Sequence, residues 1–475
     1  MWQGYRGEWD FNLLFTPEEH QGIYSQPLYI LLGHIARVFG MTMFQTFQAA
    51  RVIFASIMLL LIYRFIAQFI PSVHTRRVAF LLAAVSSGLG WLTEIISPTP
   101  PGGISPMDFW LLDAYTYLAI MNSPHFCAAT ALLLTILLVL LKRPEGPSLL
   151  EGLLAVACSL ALGLVHPYTL LLADVLPVAY WSIHWLRTRR VNWSGLIAVV
   201  GMGLTQIPIV LYDLWVFRTQ PVFIGWAAQN ITLSPPPMIY LMGYGLLLVL
   251  GIVGFVGWGN QGKRRLTFAA LWIGLVAVLV YLPWNLQRRF LEGVQIPLAM
   301  AAGVGLAEVL LPPKLDHRAR WRWLTRTAII ALSTISNLFL TAGATMSAVS
   351  HSPDLYSSTE ILAAVDWLGE NSSWNDTVLT SPNTGSLIPA RIGHRVTLGH
   401  EMETVDWDTK LEAVTGFFDV TTSEEERLAL VREWQLSYIF YGPDAKSLGD
   451  YDPSTATWLA YVFNNGEVTI YQVVD

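Results

Sequence analysis

Apolar runs close to the about 20 residues that cross a lipid bilayer recur between residues 45 and 347. A chain with so many can bury them only in lipid or against one another, and inside lipid every backbone polar group must be satisfied within the chain. Only 13% of the 475 residues are charged and 53% are hydrophobic, with a mean hydropathy of +0.47. The composition implies a polytopic α-helical membrane protein. Ten spans are expected, at about 45–70, 76–96, 119–142, 148–165, 167–187, 194–216, 236–258, 266–284, 288–311 and 324–347. The segment 26–40 is too short to cross and reads as a helix lying in the interface. Nineteen tryptophans and eighteen tyrosines fit interfacial belts. Cys127 and Cys158 both lie in apolar stretches and suggest neither a disulfide framework nor a metal knuckle.

The joints between spans alternate in charge. "HTRR" (74–77), "KRPEG" (142–146), "RTRR" (187–190), "KRR" (263–265) and "KLDHRARWRW" (314–323) are basic, whereas 97–118 has no Lys or Arg and 217–235 has only Arg218. Basic joints stay in the cytoplasm. The other joints and the C-terminal tail are therefore expected outside a plasma membrane. The tail differs sharply from what precedes it. Residues 351–475 hold 20 of the 34 acids and 6 of the 28 Lys and Arg, a balance of −14 against +8 for the first 350. Two domains in two environments follow: a multi-span part at 1–350, with outward loops at 1–44 and 97–118, and an acidic extracytoplasmic part at 351–475.

Helices alternate with short strands in that tail, which makes it a small α/β domain. Helices are expected at 358–371, 409–418 and 423–434, and strands at 376–381, 394–400, 436–443 and 467–474, with the turn "PNTG" after the first strand. Ser423 with Glu426 has capping-box spacing. The acid-rich "GHEMETVDWD" (399–408) is read first as a solvated loop, and second as a metal or sugar site.

Nearly all unusual polar residues fall on the outward side. The N-terminal stretch offers Asp10, Glu18, Glu19 and His20; the second outward loop, expected to be helical from Met107, offers Asp108 and Asp113, with His125 at its end; "VHPY" carries His166. Asp, Glu and His can serve as a general base or ligate a divalent cation, and Arg can hold a phosphate. Arg288 and Arg289 stand together where one span ends and the next begins, and a continuous helix would put Arg288, Glu292 and Gln295 on one face. Interfacial arginines most often snorkel to headgroups, with a carboxylate such as Glu292 as local partner. The sharper reading is a phosphate site, because a guanidinium fork binds phosphate oxygens in a bidentate way and binds more strongly as water is excluded. Ionisable groups deep in the spans are few, chiefly Arg51, Arg64 and Asp213, with Gln206 as a polar companion, which argues against an ion-coupled carrier. No Walker loop, HExxH, GxSxG or CxxC is present, and nothing points to nucleic acid.

The segments "FTPEEHQ…QPLYILLGHIARVFG", "ARVIFAS", "SPHF", "HPY" and "QRRFLEGVQIPLA", with the tail order "VDWL…VLTS…TG…IPA…HRVTLGH", resemble the GT-C superfold of polyprenyl-phosphate-dependent membrane glycosyltransferases, in the bacterial branch with a C-terminal soluble domain. The resemblance implies inverting transfer of a sugar from a polyprenyl-phosphate carrier to a glycan, lipid or protein acceptor at the outer face of the membrane. It implies catalytic roles among Asp10, Glu18, His20, Asp113 (or Asp108) and His125, and lipid-phosphate binding by Arg288 and Arg289. His166 and Glu292 would line the substrate cavity, and Mg or Mn is the candidate cofactor. The family places a span ahead of its first outward loop, whereas this sequence opens within that loop. Either a first span precedes Met1 or the N-terminus crosses unaided. The alternatives are a lipid-linked glycan transporter, a non-catalytic scaffold and a truncated, inactive relative.

Overall fold

A helix or bent helix pair occupies each of the ten apolar segments. The computed structural model describes residues 1–96, 105–143, 145–257, 266–312, 319–352 and 355–474. The Pro/Gly-rich start of the second outward loop (97–104), the basic joint 263–265 and residues 314–318 of the last basic joint lie outside the described residues. Five described helical stretches are long and apolar enough to cross a membrane: Met43–Phe69, Pro167–Thr188, Trp193–Thr219, Pro237–Gly257 and Gln287–Leu310. The pairs Val73–Val85 with Gly90–Ile96 and Arg320–Leu332 with Ile335–Val349 bend by 48° and 50°, and raise the number to seven if each is one span. Shorter apolar helices run over Pro27–Phe39, Pro124–Leu140, Leu149–Val165 and Thr267–Leu279.

Contacts divide the chain into two compact units. The first comprises Met1–Met43, Tyr212–Ile231 and Met346–Asp475; the second comprises Phe44–Leu211 and Thr232–Thr345.

In the first unit a five-stranded sheet has the order β2-β1-β3-β5-β4. Its strands are β1 (Thr377–Leu379), β2 (Arg395–Val396), β3 (Leu436–Tyr441), β4 (Leu459–Asn464) and β5 (Thr469–Val473). β1 runs parallel to β2 and β3, and β5 runs antiparallel to β3 and β4. Side chains alternate across a strand. Ile439 therefore enters one core with Leu379, Val414 and Phe418, while its neighbour Phe440 enters the opposite core with Val365, Ile388 and Val396. The helix Glu424–Glu433 opens on the expected capping box of Ser423 and Glu426. "PNTG", expected as a turn, begins the helix Pro382–Arg391, with Pro at a first-turn position where its missing N–H costs nothing. The N-terminal stretch belongs to this unit. The Trp2 indole donates to the Ala390 carbonyl at 3.0 Å, Arg6 donates to the Ile392 and Gly393 carbonyls, and the Val396 N–H donates to the Leu14 carbonyl at 2.8 Å.

The second unit is a helical assembly around one extensive apolar core that includes Phe65, Phe268, Trp272, Leu298 and Met300. Small residues let its helices approach backbone to backbone. A Cβ at Gly254 would collide with the Ala301 carbonyl of the neighbouring helix. Some polar groups inside this core bond across helices. Gln206 donates to Ser159 Oγ at 2.8 Å and Asp174 Oδ1 at 3.1 Å, and Glu308 accepts from the Thr75 hydroxyl at 2.8 Å.

Two expectations change here. The stretch after Met107, expected to be one helix, is two 3₁₀ turns, Met107–Phe109 and Leu112–Ala114, followed by the helix Thr116–Asn122. Asp108 explains the interruption. It is fully buried, and its Oδ2 accepts the backbone N–H groups of Gly88 (3.0 Å) and Gly90 (3.1 Å) at the bend between Val85 and Gly90. The second change concerns residues 288–311, where one continuous helix was expected. A 3₁₀ turn over Gln287–Leu291, an α-helix over Gln295–Val304 and a π turn over Gly305–Leu310 replace it. Gly293 has φ +73, a left-handed conformation that glycine adopts at little cost, so Arg288 and Gln295 are not in one helical register. Asp108→Ala strands two buried N–H donors and should destabilise the protein by on the order of 3 kcal/mol. This is readable as a lowered unfolding midpoint of the detergent-solubilised chain.

Candidate functional site

Three broken elements of the second unit converge on one buried cluster. The 3₁₀ turn Leu112–Ala114 supplies Asp113, the end of the helix Leu149–Val165 supplies His166, and the break before Gly293 turns Glu292 inward. Asp113, His166 and Glu292 are 7%, 4% and 2% exposed. One ligand atom of each lies within 4.8 Å of the others. Arg289 Nη1 stands 3.5 and 3.4 Å from the two Asp113 oxygens. Ordinary charge-assisted N–H···O⁻ bonds are about 2.7–2.9 Å, so this pair is loose. Burial pushes the Asp113 carboxyl above the usual carboxylate range, and the Arg289 charge opposes that shift without cancelling it.

The surrounding bonds fix which atoms face inward. His166 Nδ1 bonds Thr169 Oγ1 at 2.7 Å, which orients the ring and leaves Nε2 3.8 Å from Asp113 Oδ1. Glu292 Oε1 accepts from the Thr130 hydroxyl, and its Oε2 has no hydrogen-bond partner. A cavity of about 10 Å³ borders Asp113, Thr130 and Glu292, close to the volume of one water. Gln295 ties the floor together. It accepts the Thr116 N–H at 2.7 Å and donates to the Ser86 carbonyl and hydroxyl at 2.7 and 2.9 Å. Arg288 lies over the Trp110 ring at 4.7 Å, with its Nε buried and unpartnered. The His125 ring is 6.2 Å from that of His166 and inclined to it by 30°. The cluster suits a cation, since two carboxylates and an imidazole are common metal donors and one carboxylate oxygen is otherwise unsatisfied.

Asp113, His125, His166, Glu292 and the arginine pair are therefore brought together. Asp10, Glu18 and His20 belong to the first unit. Asp10 is half-buried and faces Gly22 beside the single bridge between Phe11 and Ile23. Glu18 accepts from the Thr16 hydroxyl and from the buried Lys410 ammonium at 2.7 Å. Burial alone would raise the Glu18 carboxyl, but the bonds from Lys410 and Thr16 outweigh it and hold the group below the usual range. His20 Nε2 accepts the Leu13 N–H at 3.0 Å, so Nδ1 carries the proton and donates to the Glu18 carbonyl at 2.8 Å. Burial lowers its pKa and favours this neutral form. In the acidic 399–408 stretch, Glu403 accepts from the Trp226 indole at 3.0 Å, His400 Nδ1 accepts the Met402 N–H, and Asp406 precedes the helix Trp407–Phe418. Thr130, Thr169 and Trp110 were not anticipated, and Gln295 was named only as a helical neighbour of Arg288 and Glu292. The only local hint was a Thr three residues after His166, within reach of its ring.

No protein-family model matches the sequence, and no curated protein does. Solved structures do match. ArnT from Cupriavidus metallidurans, bound to undecaprenyl phosphate, superposes with a TM-score of 0.52 at 14% identity, over 99% of this chain and 91% of that one. Arabinofuranosyltransferase AftD from Mycobacteria gives 0.52 at 14% identity, over 94% of this chain and 36% of that one. The Archaeoglobus fulgidus oligosaccharyltransferase, in a complex with Zn and sulfate, gives 0.50 at 12% identity, over 99% and 68%. The chain has the GT-C fold. It spans 63% of the length of the same oligosaccharyltransferase with a tethered acceptor peptide. At these identities the likeness is one of fold, and with its apolar helices it makes the GT-C chain a multi-pass membrane protein.

Glu18 offers a pH test in the first unit of this GT-C chain. Its depressed pKa contributes stability that is complete above the ordinary glutamate value of about 4.3 and is lost as pH falls through the lower folded value. Glu18→Gln should cost about 1 kcal/mol at neutral pH, a figure already discounted for the 40% exposure of the side chain. The gap between wild type and variant should narrow as pH drops below about 4, measured by tryptophan fluorescence during acid unfolding.

Proposed function

We propose that the chain is an inverting glycosyltransferase that takes a sugar from a polyprenyl-phosphate carrier and places it on an acceptor hydroxyl at the outer face of the plasma membrane. The observation that carries this reading is the arginine pair. One guanidinium is stacked on Trp110 with an unsatisfied buried nitrogen, and the other is held only loosely by Asp113. Both retain donors for an anion, at the joint where a helix enters the apolar core. A phosphate monoester or diester satisfies both, and guanidinium forks match its oxygens. The GT-C fold and the undecaprenyl phosphate bound to ArnT make an isoprenoid phosphate the favoured ligand.

In the proposed reaction an acceptor oxygen attacks the anomeric carbon from the side opposite the carrier. A carboxylate takes the hydroxyl proton, the new C–O bond forms, and the anomeric carbon–phosphate oxygen bond breaks. The electron pair leaves on the phosphate, where Arg288 and Arg289 stabilise the developing charge. Glu18 and His20 are committed to the fold of the first unit. His125 and His166 are proposed to border the sugar. A divalent cation, of the kind the Zn-bound oligosaccharyltransferase carries, is part of the proposal and would add positive charge.

Ten crossings are proposed: the five long helical stretches, the two bent pairs, and the shorter helices Pro124–Leu140, Leu149–Val165 and Thr267–Leu279. With the basic joints inside, residues 351–475 form the extracytoplasmic domain and Pro27–Phe39 lies in the interface. The acceptor class, whether glycan, lipid or protein, is left open. The test is transfer of radiolabelled sugar from polyprenyl-phosphate donors by membranes containing the protein. Arg288→Ala with Arg289→Ala should lower turnover by roughly 100-fold or more, with the protein still folded by gel filtration. Unchanged turnover in that variant would contradict the assignment.

A further inference from the structure

We infer that Asp113, His166 and Glu292 form a binding site for a first-row transition-metal dication, Zn or Mn in preference to Mg, and that Arg289 is the counter-charge the metal displaces. Three observations carry this. Glu292 is 2% exposed and has an oxygen with no partner, beside a cavity large enough for about one small ligand. His166 is pinned through Nδ1 by Thr169, an outer bond of the kind that fixes metal-binding imidazoles and leaves Nε2 to coordinate. Thr130 does the same for Glu292, occupying Oε1 and leaving Oε2.

The donor chemistry selects the ion. The imidazole suits Zn and the two carboxylates also suit Mn, whereas Mg prefers an all-oxygen octahedron and keeps several of its waters. The adjoining cavity of about 10 Å³, which Asp113 and Glu292 line and His166 does not, holds about one water and not a hydrated ion. Zn with three protein ligands and one further position is an ordinary arrangement. The Mg considered on sequence grounds is therefore disfavoured at this cluster, and Mn is retained.

Charge explains the role of Arg289. Two carboxyl side chains and an imidazole share the pocket, and the Arg289 guanidinium stands 3.4 Å from Asp113. A dication bound by both carboxylates neutralises Asp113 and repels the guanidinium. Metal loading then frees Arg289 Nη1 for an anionic ligand. Metal and anion would bind with positive coupling, each favouring the other.

The inference does not depend on glycosyl transfer, because it is tested on the full-length protein in nanodiscs with no sugar donor present. The protein is stripped with chelator, and calorimetric titration and thermal unfolding then follow addition of Zn, Mn or Mg. About one equivalent of Zn or Mn should bind and raise the midpoint, while Mg at the same concentration should not. Glu292→Gln should abolish the binding. Arg289→Gln should tighten it, on the order of tenfold, because a competing positive charge is removed. A misfolded variant could not show that gain. Absence of Zn and Mn binding by wild type, or wild-type affinity in Glu292→Gln, overturns the site. An Arg289→Gln affinity no tighter than wild type overturns the displacement.

Discussion

The organising constraint is the burial of charge. Asp113 and Glu292 sit almost wholly out of water in a unit whose core is aliphatic and aromatic. Taking an ion out of water costs several kcal/mol unless partners restore what hydration supplied. Here they do so incompletely. Asp113 has a guanidinium at 3.4 Å, longer than a good ionic hydrogen bond, and one Glu292 oxygen has nothing. Asp108, five residues from Asp113, is answered on one oxygen: its Oδ2 receives two backbone N–H groups at 3.0 and 3.1 Å, while its Oδ1 is buried without a partner. One carboxylate holds a bend together, and the other leaves capacity for a ligand.

The backbone makes that capacity. A regular helix satisfies its own polar groups and can offer only side chains. In the second unit the elements around the cluster are interrupted: at Ser86–Gly90, through the 3₁₀ turns of 107–114, at His166, and at Glu292–Gly293. Each break leaves backbone groups that need partners, and Asp108 and Gln295 supply them. The same breaks turn Asp113, His166 and Glu292 toward one another. Irregular backbone at this depth is tolerated where protein surrounds it, and 78% of the Gln287–Leu310 window is buried.

The apolar segments were legible because hydropathy alone marks them, and each contains helix. Three of the tail's helices and four of its five strands announced themselves by alternation or amphipathic spacing, as with β3, β5 and the capped helix Glu424–Glu433. β4, Leu459–Asn464, was missed, since it pairs only with β5 at the sheet edge and its burial does not alternate cleanly. The union of Trp2 and Arg6 with residues 390–393 was invisible, because contacts across nearly the whole sequence leave no local pattern. In the site, the arginine pair, His166 and Glu292 could be named individually as polar residues out of place. Their convergence could not. It depends on a left-handed Gly293 that looks like any other glycine in an apolar stretch, and on Thr130, which looks like an ordinary small residue in a helix. Asp174 and Glu308 were likewise passed over as polar groups within apolar stretches, and the structure gives each a bond to another helix of the second unit.

The central claim is that this unit holds a phosphate-bearing lipid through paired guanidiniums set against an incompletely satisfied buried acid cluster. Equilibrium binding to the purified chain in nanodiscs, comparing a polyprenyl phosphate with the same polyprenol lacking phosphate, tests it most directly. The account predicts binding of the phosphate form at least about tenfold tighter, a gap of roughly 1.4 kcal/mol, that closes when Arg288 is replaced by alanine. Equal affinity for the two lipids would contradict it.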